Sequence, residues 1–213
     1  PCHVGYEDLD LTPEGWVKSL KPGQWAHTAM LSNHRRANLS SGDYVILYDG
    51  AGVLEPGWGI KILSQRNGRM LIHFDTSQNS SLTLTLRSTD SLDPLRNIRV
   101  VKDEYEQSYE DQPFTKEYLN KLDHFKVIRF MDWLGTNNSN AREWNNISTR
   151  ETAFQSHRIA PYYIAKLVNQ LHADPWICIP HLAEDELVRE FAIYMRDNVD
   201  ADLKIYLEYS NET

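Results

Sequence analysis

The residues best placed to do chemistry stand at the ends of extended runs. Residues 203–213, LKIYLEYSNET, put Lys204, Tyr206, Glu208 and Ser210 on one side of an extended chain and Ile205, Leu207 and Tyr209 on the other. The run delivers Asn211 and Glu212 at its carboxyl tip. In parallel α/β folds such tips face the ligand crevice, which makes Glu212 a candidate acid and Asn211 a polar ligand group beside it. A second run, KVIRFMDW over 126–133, carries Arg129 and ends in Asp132 and Trp133. Trp133 is able to stack on a pyranose face and Asp132 to accept sugar hydroxyls; capping or anchoring the following loop would use the same residue types. Arg129 lies mid-run, where it either braces an anionic group by charge-assisted hydrogen bonds or pairs with a carboxylate of the core. Glu208 reads as a strand acid hydrogen-bonded within the fold. A third run, PWICIPHL over 175–182, brings His181 to its end.

The elements that position these tips follow from hydrophobic period and turn chemistry. Thr115 caps TKEYLNKLDHF, with Tyr118, Leu119 and Leu122 at helical spacing. A helix over 161–172 opens with proline and shows Ile164, Leu167, Val168 and Leu171 on one face. Another over 184–198 has acids in its first turn and turns Leu187, Val188, Phe191 and Met195 inward. With a short apolar strand at 98–101, the second part of the chain reads β-α-β-α-β-α-β, an alternation that predicts a parallel sheet. No glycine-rich phosphate loop follows any strand, which removes the main support for a nucleotide site. The first ninety residues differ: short β-rich runs at 25–31, 44–48, 59–63, 70–74 and 82–86 are separated by SSGD, DGAG, RNGR and SQNSS. They predict an all-β module over 1–93, sandwich-like and jelly-roll-like. Trp16, Trp25 and Trp58 there either bind sugar or pack in the core.

Four strands, the last tipped with Asn-Glu, resemble the first half of the (β/α)8 barrel of the retaining glycoside hydrolase superfamily. The segments NIRVV, HFKVIRFMDWLGTNNS, ADPWICIPHLAEDELVREFA and LKIYLEYSNE are similar to a group of secreted proteins with a β-rich amino-terminal module and a barrel of this kind. The resemblance implies an α/β fold with an all-β amino-terminal part: a module over 1–93 and a TIM-barrel-like half-barrel over 94–213. It also implies that Glu212 is the general acid/base, that Arg129 supports the nucleophile, and that His181 binds a sugar hydroxyl. Retaining hydrolysis needs a second carboxylate about 5 Å away; in the superfamily it stands on the seventh strand, beyond residue 213.

Composition bounds the partners. The 213 residues carry a net charge of -8 without Lys/Arg clusters, which argues against nucleic acid and anionic membranes. No apolar run approaches the roughly 20 residues of a membrane span. Asn-x-Ser/Thr occurs at Asn38, Asn79, Asn137, Asn146 and Asn211, five matches where chance gives about two. That excess favours a secreted, N-glycosylated, extracellular or cell-surface protein. The chain opens Pro1-Cys2, as a processed terminus or a fragment would. Cys2 and Cys178 are the two cysteines; they either pair or leave Cys178 as a buried thiol. His172, Asp174 and His181 lack ligand spacing, so neither metal nor cofactor is expected. Two functions remain. One is a structural or assembly glycoprotein of a fibre, sheath or matrix, with other protein chains as partners; a sequon on Asn211 and half a barrel with open edges favour it. The other is an O-glycoside hydrolase acting on polysaccharide through Glu212.

Overall fold

The computed structural model describes residues 8–32, 40–155 and 158–211, and the chain divides into two compact units, residues 1–110 and 111–213. Asn38, Cys2 and Glu212 lie outside the described residues.

The first unit is built from antiparallel strands. In chain order they are β1 (Asp10–Leu11), β2 (Val17–Ser19), β3 (Ala26–Ser32), β4 (Gly42–Asp49), β5 (Gly52–Pro56), β6 (Lys61–Arg66), β7 (Arg69–Phe74), β8 (Ser81–Thr89) and β9 (Arg96–Lys102). β1 and β2 form a ribbon, β3-β8-β5 a three-stranded sheet and β6-β7-β4-β9 a four-stranded one. Strict alternation decides which side chains go in. Met70, Ile72 and Phe74 of β7 and Leu82, Leu84 and Leu86 of β8 are buried and join Tyr44, Ile46, Leu54 and Leu95 in one core. Asn67-Gly68 closes the β6–β7 hairpin, with Gly68 at φ +75°. Gly50, at φ +87°, lets the chain after β4 pass so close to Pro94 that a Cβ there would stand 2.2 Å from its carbonyl oxygen.

The second unit holds α1 (Lys116–Leu122), β10 (Val127–Arg129), α2 (Pro161–Leu171), β11 (Asp174–Ile179), α3 (Asp185–Asn198) and β12 (Tyr206–Tyr209). Its three strands are parallel, in the order β10-β11-β12. The Thr115 hydroxyl accepts the Tyr118 N–H at 3.2 Å and caps α1. α2 ends on His172 in the left-handed region, φ +49°, a conformation more usual for glycine or asparagine. Ile164, Leu167 and Val168 of α2 and Leu187, Phe191 and Met195 of α3 bury against Ile177 and Ile179 of β11.

The expected fold class, an α/β chain with a jelly-roll-like sandwich followed by four βα strands of a TIM-barrel-like domain, is overturned. Strand predominates, and the described residues contain only three α-helices. The strand expected to open the barrel, 98–101, is the body of β9 and pairs antiparallel with β4, Val101 opposite Val45 and Arg99 opposite Leu47. A short apolar run does not specify its partner, and here the neighbour is a hairpin sheet rather than a crossover. Three short parallel strands remain, too few for a half-barrel. The amino-terminal strands, in sheets of two, three and four, do not make a jelly roll.

Candidate functional site

Alternation and parallel register bring four functional side chains to one face of the second unit's sheet. Arg129 pairs with Trp176, and Cys178 with Glu208, across neighbouring strands. Residues that pair across a ladder point the same way, so Arg129, Trp176, Cys178 and Glu208 share the face opposite to Ile177 and Ile179. Glu208 is the hub. Its Oε2 accepts from Arg129 Nε at 3.0 Å, Arg129 Nη2 at 2.8 Å, Trp176 Nε1 at 2.8 Å and the Cys178 thiol at 3.2 Å. Its Oε1 accepts from Arg129 Nη2 at 2.9 Å. The guanidinium also lies over the Trp176 ring, 5.3 Å from its centroid.

The network continues to the carboxyl tip of β12. Arg129 Nη2 donates to Asn211 Oδ1 at 2.7 Å, and Asn211 Nδ2 donates to Asn137 Oδ1 at 2.6 Å. The loop after β10 supplies Asn137 because it is pinned on both sides. Thr136 Oγ1 donates to the Cys178 carbonyl at 3.2 Å, and Ser139 is buried. Arg129 and Asn211 are thus brought together in the Glu208 network, while Asp132, Trp133 and His181 make no hydrogen bond within it among the described residues.

Asp132 and Trp133 stand past the end of β10, in a tight turn where Leu134 N–H donates to Phe130 O and Gly135 N–H to Asp132 O, each at 3.0 Å. Trp133 is held between Phe114, stacked at 6.3 Å, and Phe130, edge-on at 5.4 Å. Both residues help line a cleft of about 330 Å³ with Tyr118, Leu122, Ile128 and Arg129. His181 follows β11, and its carbonyl receives the Tyr209 hydroxyl at 2.9 Å. Trp58 is 96% exposed, whereas Trp16 and Trp25 are half-buried; Arg87 lies over the Trp25 ring at 5.7 Å.

The electrostatics decide what Glu208 is able to do. The Arg129 guanidinium, and then the Cys178 thiol, hold its carboxyl below the usual range, so it is an anion at neutral pH with one oxygen saturated by donors. It is neither a proton donor nor an open base. Burial, reinforced by the hydrogen bond to Glu208, pushes the Cys178 thiol up to about 11, so it stays protonated and donates. Cys178 is a buried free thiol. Among the described residues no buried side-chain nitrogen or oxygen lacks a hydrogen-bond partner.

Sequence reading missed three members of this site, Trp176, Cys178 and Asn137 as a hydrogen-bond acceptor. Alternation in PWICIPHL was the signal for the first two: Trp176 and Cys178 are two apart and must share a face. Nothing local marks Asn137, which is brought in over 74 residues of chain. A second group, at the other end of the sheet, was also unseen: exposed ligand atoms of His172, Asp200 and Asp202 lie within 4.8 Å of one another. It forms because the loop after α3 returns beside the end of α2, where Asp200 N–H donates to Asn169 Oδ1 at 3.0 Å.

Of the sequon asparagines, Asn137 and Asn146 are exposed and Asn79 is half-buried. No known protein family, no curated protein and no solved structure matches this chain.

Proposed function

We propose that the protein is a secreted, N-glycosylated extracellular component that works by assembly, joining a second copy of itself through the open edge of β12. The observation that carries this reading is the exposure of that strand. Leu207 and Tyr209 are 64% and 75% exposed on the helix-bearing face, and Tyr206 is 45% exposed on the other. Parallel strands are ordinarily buried on both faces; among the described residues β12 pairs on one side only, and an edge of that kind with apolar side chains is a template for another strand. Self-pairing suits its sequence. Two β12 strands meeting antiparallel about Leu207 would set Leu207 against its counterpart, Ile205 against Tyr209 and Tyr206 against Glu208, with no like charges opposed. No residue from 204 to 210 is proline, so nothing blocks the ladder. The sequon excess supports the extracellular setting.

Light scattering on protein from a eukaryotic secretory host tests this. The expected result is a dimer or larger assembly for the parent protein and a monomer for Leu207→Lys. A parent protein that stays monomeric at every concentration overturns assembly, and one that is never exported overturns the extracellular setting.

A second reading, hydrolysis of a polysaccharide, is favoured by one observation: Arg129 and Asn137 together hold Asn211, the residue before Glu212 in sequence. Its measure is reducing-end release from polysaccharide. Activity lost in Glu212→Gln and retained in Leu207→Lys would support it; an inactive parent protein would end it.

A further inference from the structure

The five sequons are equal by sequence, and the four whose asparagines are among the described residues are unequal by structure, the difference lying in what each amide is already doing. This inference rests on the reading of the chain as an N-glycosylated protein. Asn79 and Asn137 have side-chain nitrogens that donate no recorded hydrogen bond among the described residues. The Asn146 side chain is engaged only within its own surface turn, its Nδ2 donating to Asn145 Oδ1 at 3.0 Å and its Oδ1 accepting the Arg142 and Glu143 N–H groups at 3.0 and 3.1 Å. Asn211 is in another position. Its oxygen receives Arg129 Nη2 at 2.7 Å, and its nitrogen donates to Asn137 Oδ1 at 2.6 Å, so both ends of the amide belong to the Glu208 network.

We propose that Asn211 is left unglycosylated and serves as an amide latch, closing the tip of β12 onto Arg129 and the loop after β10, while sugars go to sequons among Asn79, Asn137 and Asn146. The geometry of the linkage supplies the reason. A glycosylated side-chain amide is planar and trans, like a peptide bond, so the first sugar carbon stands on the same side as Oδ1. At Asn211 that is the oxygen which Arg129 reaches. The sugar would crowd the guanidinium, and the nitrogen would keep one N–H where it now has two. A sugar on Asn137 would stand beside the oxygen that Asn211 Nδ2 reaches, but the Asn137 nitrogen donates nothing to the network, so one contact is disturbed there against two at Asn211.

Two measurements separate this inference from the glycoprotein reading. Enzymatic glycan release in heavy-oxygen water, followed by peptide mass spectrometry, converts each glycosylated asparagine to a labelled aspartate. The expected label is on one or more of Asn79, Asn137 and Asn146, with Asn211 unlabelled. Label on Asn211 in most molecules overturns the latch. No label anywhere overturns the glycoprotein reading, and the latch is then judged on melting alone. Thr213→Ala removes the sequon and keeps the amide, so the melting temperature should not move. Asn211→Ala removes the amide and should lower it by roughly 2–8 °C. The latch also predicts that Asn137→Ala and Asn211→Ala are not additive, the double variant melting no lower than the worse single. Equal melting of Thr213→Ala and Asn211→Ala overturns the proposal.

Discussion

In each unit of the molecule an Arg–Glu pair makes two-point contact, and the two pairs are placed differently. In the first unit Arg69 Nε and Nη2 donate to the two Glu106 oxygens at 2.6 and 2.7 Å. That pair decorates a hairpin sheet whose core is complete without it, since Met70, Ile72 and Phe74 already fill the inner face. In the second unit the Arg129–Glu208 pair spans all three strands and takes in Trp176, Cys178 and Asn211. Helices cover one face of that sheet, and polar contacts organise the other. Antiparallel hairpins satisfy themselves from local sequence; a short parallel sheet needs a cross-strand device to align its tips.

The largest test of this contrast lies in the two cores. Phe74→Ala should cost about 3–5 kcal/mol and Leu187→Ala about 2–5 kcal/mol in denaturant unfolding. Hydrogen exchange should show each loss confined to its own unit. A loss spread evenly over both would mean that the units do not keep separate cores.

Next comes the thiol at the centre of the second network. With its value raised from an ordinary 9.0 to about 11, Cys178 should hold about a hundredfold less thiolate at neutral pH than an exposed cysteine. Alkylation followed by mass spectrometry should find it protected in the folded protein and reactive in urea. Glu208→Gln should bring the value down, because the anion beside the thiol is gone; an unchanged rate would mean that burial alone sets it.

The smallest effect is the acid limb. The carboxyls of Glu106 and Glu208 are both held low, each first by the hydrogen bond from its arginine. A carboxyl depressed in the folded state adds stability that is complete above its unfolded value, about 4.3, and is lost as pH falls through the lowered folded value. Melting against pH should therefore be flat near neutrality and fall in acid. Glu106→Gln and Glu208→Gln should each flatten part of that fall, the first in the exchange of residues 1–110 and the second in that of 111–213.

The hairpins were the most legible part of the fold. LTLTLRS alternates strictly and turns Leu82, Leu84 and Leu86 inward, RMLIHF was legible as a strand and buries every second residue, and the two longer helices carry stripes that meet β11. β5 was hidden because Gly50 and Gly52 stand at its start and read as turn residues, although the structure uses their small size for close approach to Pro94 and Ser88. β9 was legible as a strand but not by partner, and this one ambiguity produced the barrel expectation. For the site, alternation placed Arg129 and Glu208 on strands, and only the register put them together. Asp132 and Trp133 read as a strand end because the apolar run gives no sign that β10 stops at Arg129 and the chain turns back on Phe130.

The span of the network has a consequence for biosynthesis. Arg129 meets Glu208 across 79 residues and Asn137 meets Asn211 across 74, whereas the strand pairings of the first unit all lie within residues 10–102, the widest joining Ala26 to Leu86. A nascent polypeptide emerging from the ribosome therefore finishes its hairpins early and holds the arginine, the tryptophan and the thiol uncovered until β12 appears. During that interval the second unit is the vulnerable part of the chain. A pause in translation just before Tyr206 should leave it as the part that chaperones or oxidants find first.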